Sequence, residues 1–275
     1  MKNRISVKIA LMIGVVQIIA MIIFFAVMNY YLTGTLEDRA FRDMNVIAGD
    51  RAQLVETYID GCCEFVSSYS KTTEVREALE NPEDAERIRL SREMTTRMAS
   101  DRTDIEGLYT AQWDTYVLAH INPDSVDQTF RDADAAAALE QMIRERGEAF
   151  CTGIVLAPVT RRMVIPVYAP IRNEQGEMIG FAGGAFYTDG LEEKLGALEN
   201  SGDEEVGYSL INAATGVYIF DQNQELVGTD CTERDLLTVI GTLRDTPDDQ
   251  HFTSYANNEV VASCYYMADR DWVFV

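Results

Sequence analysis

Thr115-Tyr-Val-Leu-Ala-His120 and Thr215-Gly-Val-Tyr-Ile-Phe220 decide the architecture of this chain. Each follows a short apolar run and a turn, and each leads to a second short segment, Val126-Asp127 in one case and Val227-Gly228 in the other. The likeness extends outward. Phe150-Cys-Thr-Gly153 with Val164-Ile-Pro-Val-Tyr-Ala169 answers Phe252-Thr-Ser-Tyr255 with Val260-Val-Ala-Ser-Cys-Tyr265. A pattern recurring at a distance of about 100 residues marks a duplicated unit, so we read two similar α+β modules in tandem.

Short β-type runs separated by Gly-, Pro- or Asn-rich turns supply the strands of the first module: Glu106 to Gln112, Tyr116 to Ile121, Phe150 to Val155, Met163 to Ile171 and Met178 to Tyr187. Asn173-Glu-Gln-Gly176 reads as a hairpin turn between the last two, and Ala133 to Arg146 is a strong helix former. A five-stranded antiparallel sheet with helices on it is expected. A helix over Asp189 to Asn200 leads to the second set of strands: Gly207 to Ala213, Gly216 to Asp221, His251 to Tyr255, Glu259 to Met267 and Trp272 onward. A helix near Glu233 to Arg244 lies among them.

Ahead of both modules, Ile9 to Met28 reads IALMIGVVQIIAMIIFFAVM, with Gln17 its one strongly polar residue. Twenty helical residues span about 30 Å, the thickness of a hydrocarbon core. A cleaved secretory signal shares the basic start and apolar run, but this run is longer and no A-x-A-like site follows it. The reading is an uncleaved anchor over residues 9–31, with Tyr30 and Tyr31 as interfacial aromatics. Lys2, Arg4 and Lys8 hold residues 1–8 in the cytoplasm, which places residues 32–275 outside. Apolar residues at helical spacing (Leu36, Ala40, Met44, Ile47, Leu54, Tyr58) then predict a long helix from about Leu32 to Glu80, with a second helix from Pro82 to Ser100. The resulting divisions are a helical region at 32–104, a first module at 105–200 and a second at 201–275.

Of the 275 residues, 47% are hydrophobic and 9% aromatic, a globular composition. The net charge of −22 excludes nucleic acid as an electrostatically favoured partner, since such a surface repels phosphate backbones. Five cysteines without C-x-x-C spacing make neither a zinc motif nor a complete disulfide framework, and most read as small buried hydrophobes. A bond between the adjacent Cys62 and Cys63 is disfavoured, because neighbouring helical side chains point apart. There is no G-x-S-x-G, H-E-x-x-H, P-loop or G-x-G-x-x-G, so neither an enzyme nor a cofactor is expected.

With the anchor and long helix in place, Gly107-Leu-Tyr-Thr-Ala-Gln-Trp-Asp114, Val117-Leu-Ala-His-Ile-Asn-Pro123, Pro166-Val-Tyr-Ala-Pro-Ile171 and Gly180-Phe-Ala-Gly-Gly184 resemble the double-Cache family of extracytoplasmic sensors. The resemblance covers nearly all of residues 33–275. It implies an α+β fold with a transmembrane helix, a long stalk helix and two tandem PAS-like modules with antiparallel sheets. It also implies a small ligand in the membrane-distal module and a signalling output of chemoreceptor, histidine kinase or diguanylate cyclase type. The chain stops at Asp271-Trp-Val-Phe-Val275, where the family's last proximal strand lies, so a fragment of a longer receptor is expected. Amino-acid-sensing members carry an Arg-x-Trp-Tyr segment and an aspartate near the end of the sheet. Here Asn122-Pro-Asp-Ser-Val-Asp-Gln-Thr-Phe-Arg131 and Gly183-Gly-Ala-Phe186 stand in those places, and the ligand class stays open.

A ligand pocket on such a sheet needs a few polar groups converging in an apolar setting. Tyr109, Trp113, His120, Arg131, Tyr168 and Phe186 are the candidates. Tyr109, Ala111 and Trp113 alternate onto one strand face, offering rings for stacking or cation–π contact; core packing explains them equally well. His120 is a ligand partner or a hydrogen-bonder at a strand end. Arg131 suits a bidentate carboxylate, or else neutralises Asp127, Asp132 and Asp134. Gly183-Gly184 leaves a strand interior without side chains, which points to a cavity or a bulge. Two other readings compete with sensing, an anchored structural or adhesion ectodomain and an anchored hydrolase. The uninterrupted helical pattern over residues 33–80 further suggests a homodimer.

Overall fold

The computed structural model describes residues 2–157, 160–196, 207–246, 252–256 and 261–275. Everything hangs on α1 (Lys2–Ser70), a continuous helix of 69 residues and therefore about 100 Å long. Its apolar window, Met12–Tyr31, has mean hydropathy 2.4, and none of it is buried against the described residues. Helix α1 ends at Ser70, short of the Glu80 expected from sequence. There the Ser70 and Thr72 hydroxyls donate to the carbonyls of Ser67 and Tyr69, taking up acceptors that a continuing helix would use. Thr72 turns to extended backbone, and α2 (Thr73–Glu80) starts a new direction. Next, α3 (Ala85–Ala99) begins where the Asp84 carboxylate accepts from the Glu86 and Arg87 amides.

The stripe of α1 that packs on the rest of the molecule is Ala48, Ala52, Val55, Ile59, Cys62, Val66 and Tyr69, in steps of four and three. That is one position away from the predicted stripe. Leu54 and Tyr58 lie half-buried at its rim, and Ile47 is 44% exposed. Small residues occupy the seam because a sheet approaches a helix closely only where side chains are short, and a reading guided by the larger apolar residues passes over them.

The first sheet comprises β1 (Ile105–Ala111), β2 (Val117–His120), β3 (Phe150–Cys151), β4 (Val155–Leu156), β5 (Met163–Arg172) and β6 (Met178–Tyr187), with α4 (Ala133–Arg146) between β2 and β3. Its order is β2-β1-β6-β5-β3, with β4 also on β5, and every pairing is antiparallel. The strand expected over Phe150 to Val155 is two short ones, which makes six strands where five were expected. Gly153, at φ 128, breaks the ladder, and its amide and carbonyl both contact the Cys151 Sγ at 3.2 Å.

After α5 (Asp189–Gly196) comes the second sheet: β7 (Ser209–Asn212), β8 (Tyr218–Asp221), β9 (Phe252–Ala256), β10 (Val261–Met267) and β11 (Trp272–Phe274), with α6 (Arg234–Asp245) ahead of β9. Its order, β8-β7-β11-β10-β9, repeats the first strand for strand. The duplication also holds in detail, with one shift. Tyr116 bridges Thr129 as Val217 bridges Asp230. Thr115 and Asp127 have positive φ (65° and 59°) where the second module has Gly216 and Gly228 (71° and 82°). The true partner of Thr115 is thus Gly216, one residue beyond the Thr215 that the sequence alignment chose.

Each sheet has one face on α1. From the first, Leu108, Ile165, Val167, Ala169, Ala182 and Phe186 join the α1 stripe in the main core; from the second, Leu210, Phe220 and Phe274 do so. The opposite face of each sheet packs under its own helix, α4 or α6. Along α1, the second sheet meets Asn45, whose amide oxygen accepts from the Ser263 hydroxyl, and Arg51, whose guanidinium lies over the Tyr208 ring. The first sheet meets the helix around Val66 and Tyr69. The second sheet is therefore the one nearer the apolar segment.

Candidate functional site

Alternation along the strands sends Tyr109 and Ala111 of β1, Val117 of β2, Tyr168 of β5 and Phe181 of β6 to the face of the first sheet turned away from α1. Leu139 and Ile143 of α4 close one side. Phe181 is the hub of the cluster. Its ring centroid lies 6.2 Å from Tyr109, 6.1 Å from Trp113 and 6.1 Å from Tyr168. Tyr109 stacks nearly parallel on His120, with centroids 5.6 Å apart, and meets Phe130 edge-on at 5.4 Å. Glycine makes this possible. A Cβ on Gly183 would stand 2.1 Å from the Tyr109 Cζ, so the phenol ring lies in the space that Gly183 leaves empty.

Polar groups converge at the open edge. The Arg131 guanidinium donates to the Tyr168 hydroxyl at 3.0 Å, and the Arg131 amide donates to the Thr115 hydroxyl. Two of its acidic neighbours in sequence are engaged elsewhere. Asp127 pairs with Arg92 at 3.0 Å and accepts from the Tyr116 hydroxyl, while Asp132 caps α4 by accepting from the Ala135 amide. Among the described residues Arg131 has no ion pair within 4 Å. Arg144 of α4 sits over the Trp113 ring at 4.4 Å. Phe130, 44% exposed, forms the rim beside Arg131.

Five of the six candidates, Tyr109, Trp113, His120, Arg131 and Tyr168, come together here. Phe186 does not. Strand β6 carries it to the other face, where its ring meets Phe65 of α1 edge-on at 5.9 Å and lies under Arg102. Phe181 and Phe186 are five positions apart, an odd step that puts them on opposite faces, so counting along β6 from Gly183 identifies Phe181 as the ring on the Tyr109 side. Phe130 and Arg144 were also missed; the first lies in a loop without periodicity, and the second falls on a helix whose facing is set only by packing.

Burial pushes the Tyr109 phenol well above its ordinary value, with Tyr168 beside it adding to the effect. It also pushes His120 down from 6.5 to about 4, so the imidazole is neutral at pH 7, and its Nδ1 accepts from the Asn122 amide at 2.8 Å. A folded-state value below the unfolded one means that the unfolded chain takes up the extra proton first. Stability is then lost as pH falls from 6.5 towards 4. Urea titrations across that range should show His120→Gln losing less stability on acidification than the parent, by up to about 3 kcal/mol. Parallel profiles would show that His120 is not held neutral by the fold.

A second concavity, about 490 Å³, lies between the two sheets and is lined by Ile154, Val155 and Leu156 on one side and Tyr218, Gln224 and Trp272 on the other. Among the described residues no charged side chain lines it, and its polar groups are Thr152, Asn212, Thr215, Tyr218 and Gln224.

No family model and no curated protein matches the chain. Solved structures do match in fold. The ligand-binding domain of the Campylobacter jejuni chemoreceptor Tlp3, in complex with L-valine, superposes with TM-score 0.61 at 14% identity, covering 87% of this chain and 92% of that one. The Vibrio cholerae histidine kinase DctB sensor domain gives 0.60 at 8% identity, covering 86% and 96%. The ligand-binding domain of the Pseudomonas fluorescens chemoreceptor CtaA, with L-isoleucine, gives 0.56 at 12%, covering 88% and 92%. The α+β fold expected from the sequence is the one found: a long helix carrying two tandem modules with antiparallel sheets.

Proposed function

We propose that this chain is the sensing part of a membrane receptor, in which a small molecule binds on the outer face of the first sheet and its binding is passed to α1. The observation that carries the reading is Arg131, a guanidinium with a single side-chain partner, the Tyr168 hydroxyl, at the open edge of a cluster of rings. Its remaining donors suit a carboxylate or another anionic acceptor, and Tyr109, Trp113, Phe130 and Phe181 offer apolar faces for the rest of the molecule. The fold relatives support this, since two of them are chemoreceptor domains holding amino acids. The adhesion alternative is served less well, because it requires a broad partner patch, not an inward-facing set of rings and a cation.

In this reading residues 9–31 cross the membrane with the N-terminus in the cytoplasm, the first module is membrane-distal and the second membrane-proximal. The basic start and the exposed apolar window Met12–Tyr31 support it. Val46 and Ile47, 60% and 44% exposed on the spine, support a parallel homodimer; a mass that stays monomeric by light scattering at all concentrations would exclude one.

The test is a thermal-shift screen of the full chain in detergent against amino acids, amines, organic acids, purines and sugars. A ligand at about 100 times its dissociation constant should add roughly 2.7 kcal/mol to stability. Arg131→Ala and Trp113→Ala should each abolish that gain while leaving the unliganded melting temperature within a few degrees. A gain that survives both substitutions would place the ligand elsewhere.

A further inference from the structure

Three cations line one hollow of about 330 Å³ where α1 gives way to α2: Lys71 and Arg76 from that corner, and Arg172 from the end of β5. Ala169 also lines it and belongs to the core against α1, whereas its neighbour Tyr168 faces Arg131, so β5 separates this hollow from the aromatic site. The chain has 23 basic residues against 45 acidic ones, yet here the lining carries a single carboxylate, Glu148, and its formal charge is three minus one, or +2. Arg172 is fixed by the fold, since its Nη1 donates to the Gly176 carbonyl at 2.8 Å and its Nη2 to the Gly147 carbonyl at 3.1 Å, with N–H donors to spare. Arg76 is not satisfied in this way. Among the described residues its buried Nε has no hydrogen-bond partner, and its Nη2 stands 3.6 Å from the Glu174 carboxylate, whose side chain is 73% exposed. A donor shut off from water without a partner is unfavourable, and an ion pair with so exposed a carboxylate is screened. Lys71 makes no ion pair within 4 Å among the described residues. Nor do the last carbonyls of α1 call for its ammonium group, because Ser67 accepts from the Ser70 hydroxyl, Ser68 from the Lys71 amide, and Tyr69 from the Thr72 amide and hydroxyl.

We propose that this hollow is a second binding site, one for a phosphate group, held by the Arg76 and Arg172 guanidinium groups and the Lys71 ammonium group. Guanidinium groups present paired donors that match two oxygens of one anion, and lysine adds a compact point charge. Phosphate is favoured over carboxylate by charge. A phosphate monoester carries about −1.5 to −2 at neutral pH, close to the formal charge of the lining in magnitude, whereas a carboxylate carries half of that or little more. The volume lies at the small end of the range for ligand sites, which suits inorganic phosphate or a short phosphate ester. An anion held there bridges the α1–α2 corner and the end of β5, so its binding braces the end of the spine against the first sheet. It does so without the aromatic face, and the site stands whether or not a ligand binds at Arg131.

The experiment is isothermal titration calorimetry of the full chain in a phosphate-free detergent, with ionic strength held constant by chloride and inorganic phosphate and glycerol phosphate as the probes. One phosphate should bind per chain. Arg76→Gln and Lys71→Gln should each weaken binding by at least about tenfold, the scale of a lost hydrogen bond to a charged group, while melting within a few degrees of the parent in the absence of phosphate. Glu148→Gln removes the opposing charge and should tighten binding, which keeps the test decisive if a cation variant proves unstable. Arg131→Ala should leave the phosphate affinity as it is in the parent, so the outcome is separate from that of the ligand screen. Tighter binding of glycerol phosphate would assign the site to an ester and tighter binding of inorganic phosphate to the free anion; either supports it. Heats that do not saturate, binding untouched by Arg76→Gln and Glu148→Gln, or binding lost in Arg131→Ala would overturn the proposal.

Discussion

Truncation of Tyr69 to alanine should lower the stability of the chain by about 3–5 kcal/mol, the loss typical of a fully buried aromatic ring. Tyr69 is the last residue of the packed stripe of α1, and its hydroxyl joins three elements. It lies 2.5 Å from the Thr95 hydroxyl of α3 and 2.8 Å from the Thr110 hydroxyl of β1. Those bonds are made in a buried site, where burial outweighs their opposing effect and pushes the phenol up to about 12. Tyr69→Phe keeps the ring and removes the junction, leaving the Thr110 hydroxyl without its partner at a cost of about 1–3 kcal/mol. Urea unfolding followed by the fluorescence of Trp113 and Trp272, one in each module, measures both variants. If Tyr69→Phe matched the parent, the hydroxyl junction would contribute nothing to stability.

Gly183→Ala is the second large effect. The added methyl would meet the Tyr109 ring at three atoms between 2.1 and 2.5 Å. That ring is enclosed by His120, Phe130 and Phe181, so it can move only by disturbing them. Overpacking of this kind typically costs about 1–3 kcal/mol. Tyr109→Ala relieves the clash. The double variant should then be more stable than the sum of the single changes predicts, by at least about 1 kcal/mol in a double-mutant cycle. Additive effects would mean that the ring does not rest on Gly183. The same displacement should also impair ligand binding under the proposed function, because it reshapes the face that carries Arg131 and Tyr168.

Helix α4 is found with the predicted bounds, as is strand β6, because the first is rich in alanine and the second ends in clear turn chemistry. The repeat was legible because it involves whole strands and turns. Its one-residue offset was not, since Thr115 adopts a backbone conformation that glycine adopts more readily, and nothing local announces it. The ring cluster was legible where alternation applies, as at Tyr109, Trp113 and Tyr168. It was misread at Phe186, where two adjacent glycines obscure which face is inward. Arg131 was found as a residue, but the pairing of Asp127 with Arg92, which leaves the Arg131 guanidinium without an ion pair, depends on α3 coming alongside β2. Long-range partners of that kind are a property of packing, and no spacing in the sequence reports them.

Helix α1 runs without interruption from its apolar segment to the sheet contacts at Ala48 and beyond. The number of residues between those two regions therefore acts as a phase angle. Each residue added or removed there would turn the apolar segment by about 100° relative to both modules, whereas seven would return it almost to its starting orientation. In the proposed receptor, the length of that stretch would set which side of the helix faces a neighbouring segment in the bilayer. A series of insertions read out by cross-linking within the apolar segment should then follow helical periodicity, not distance.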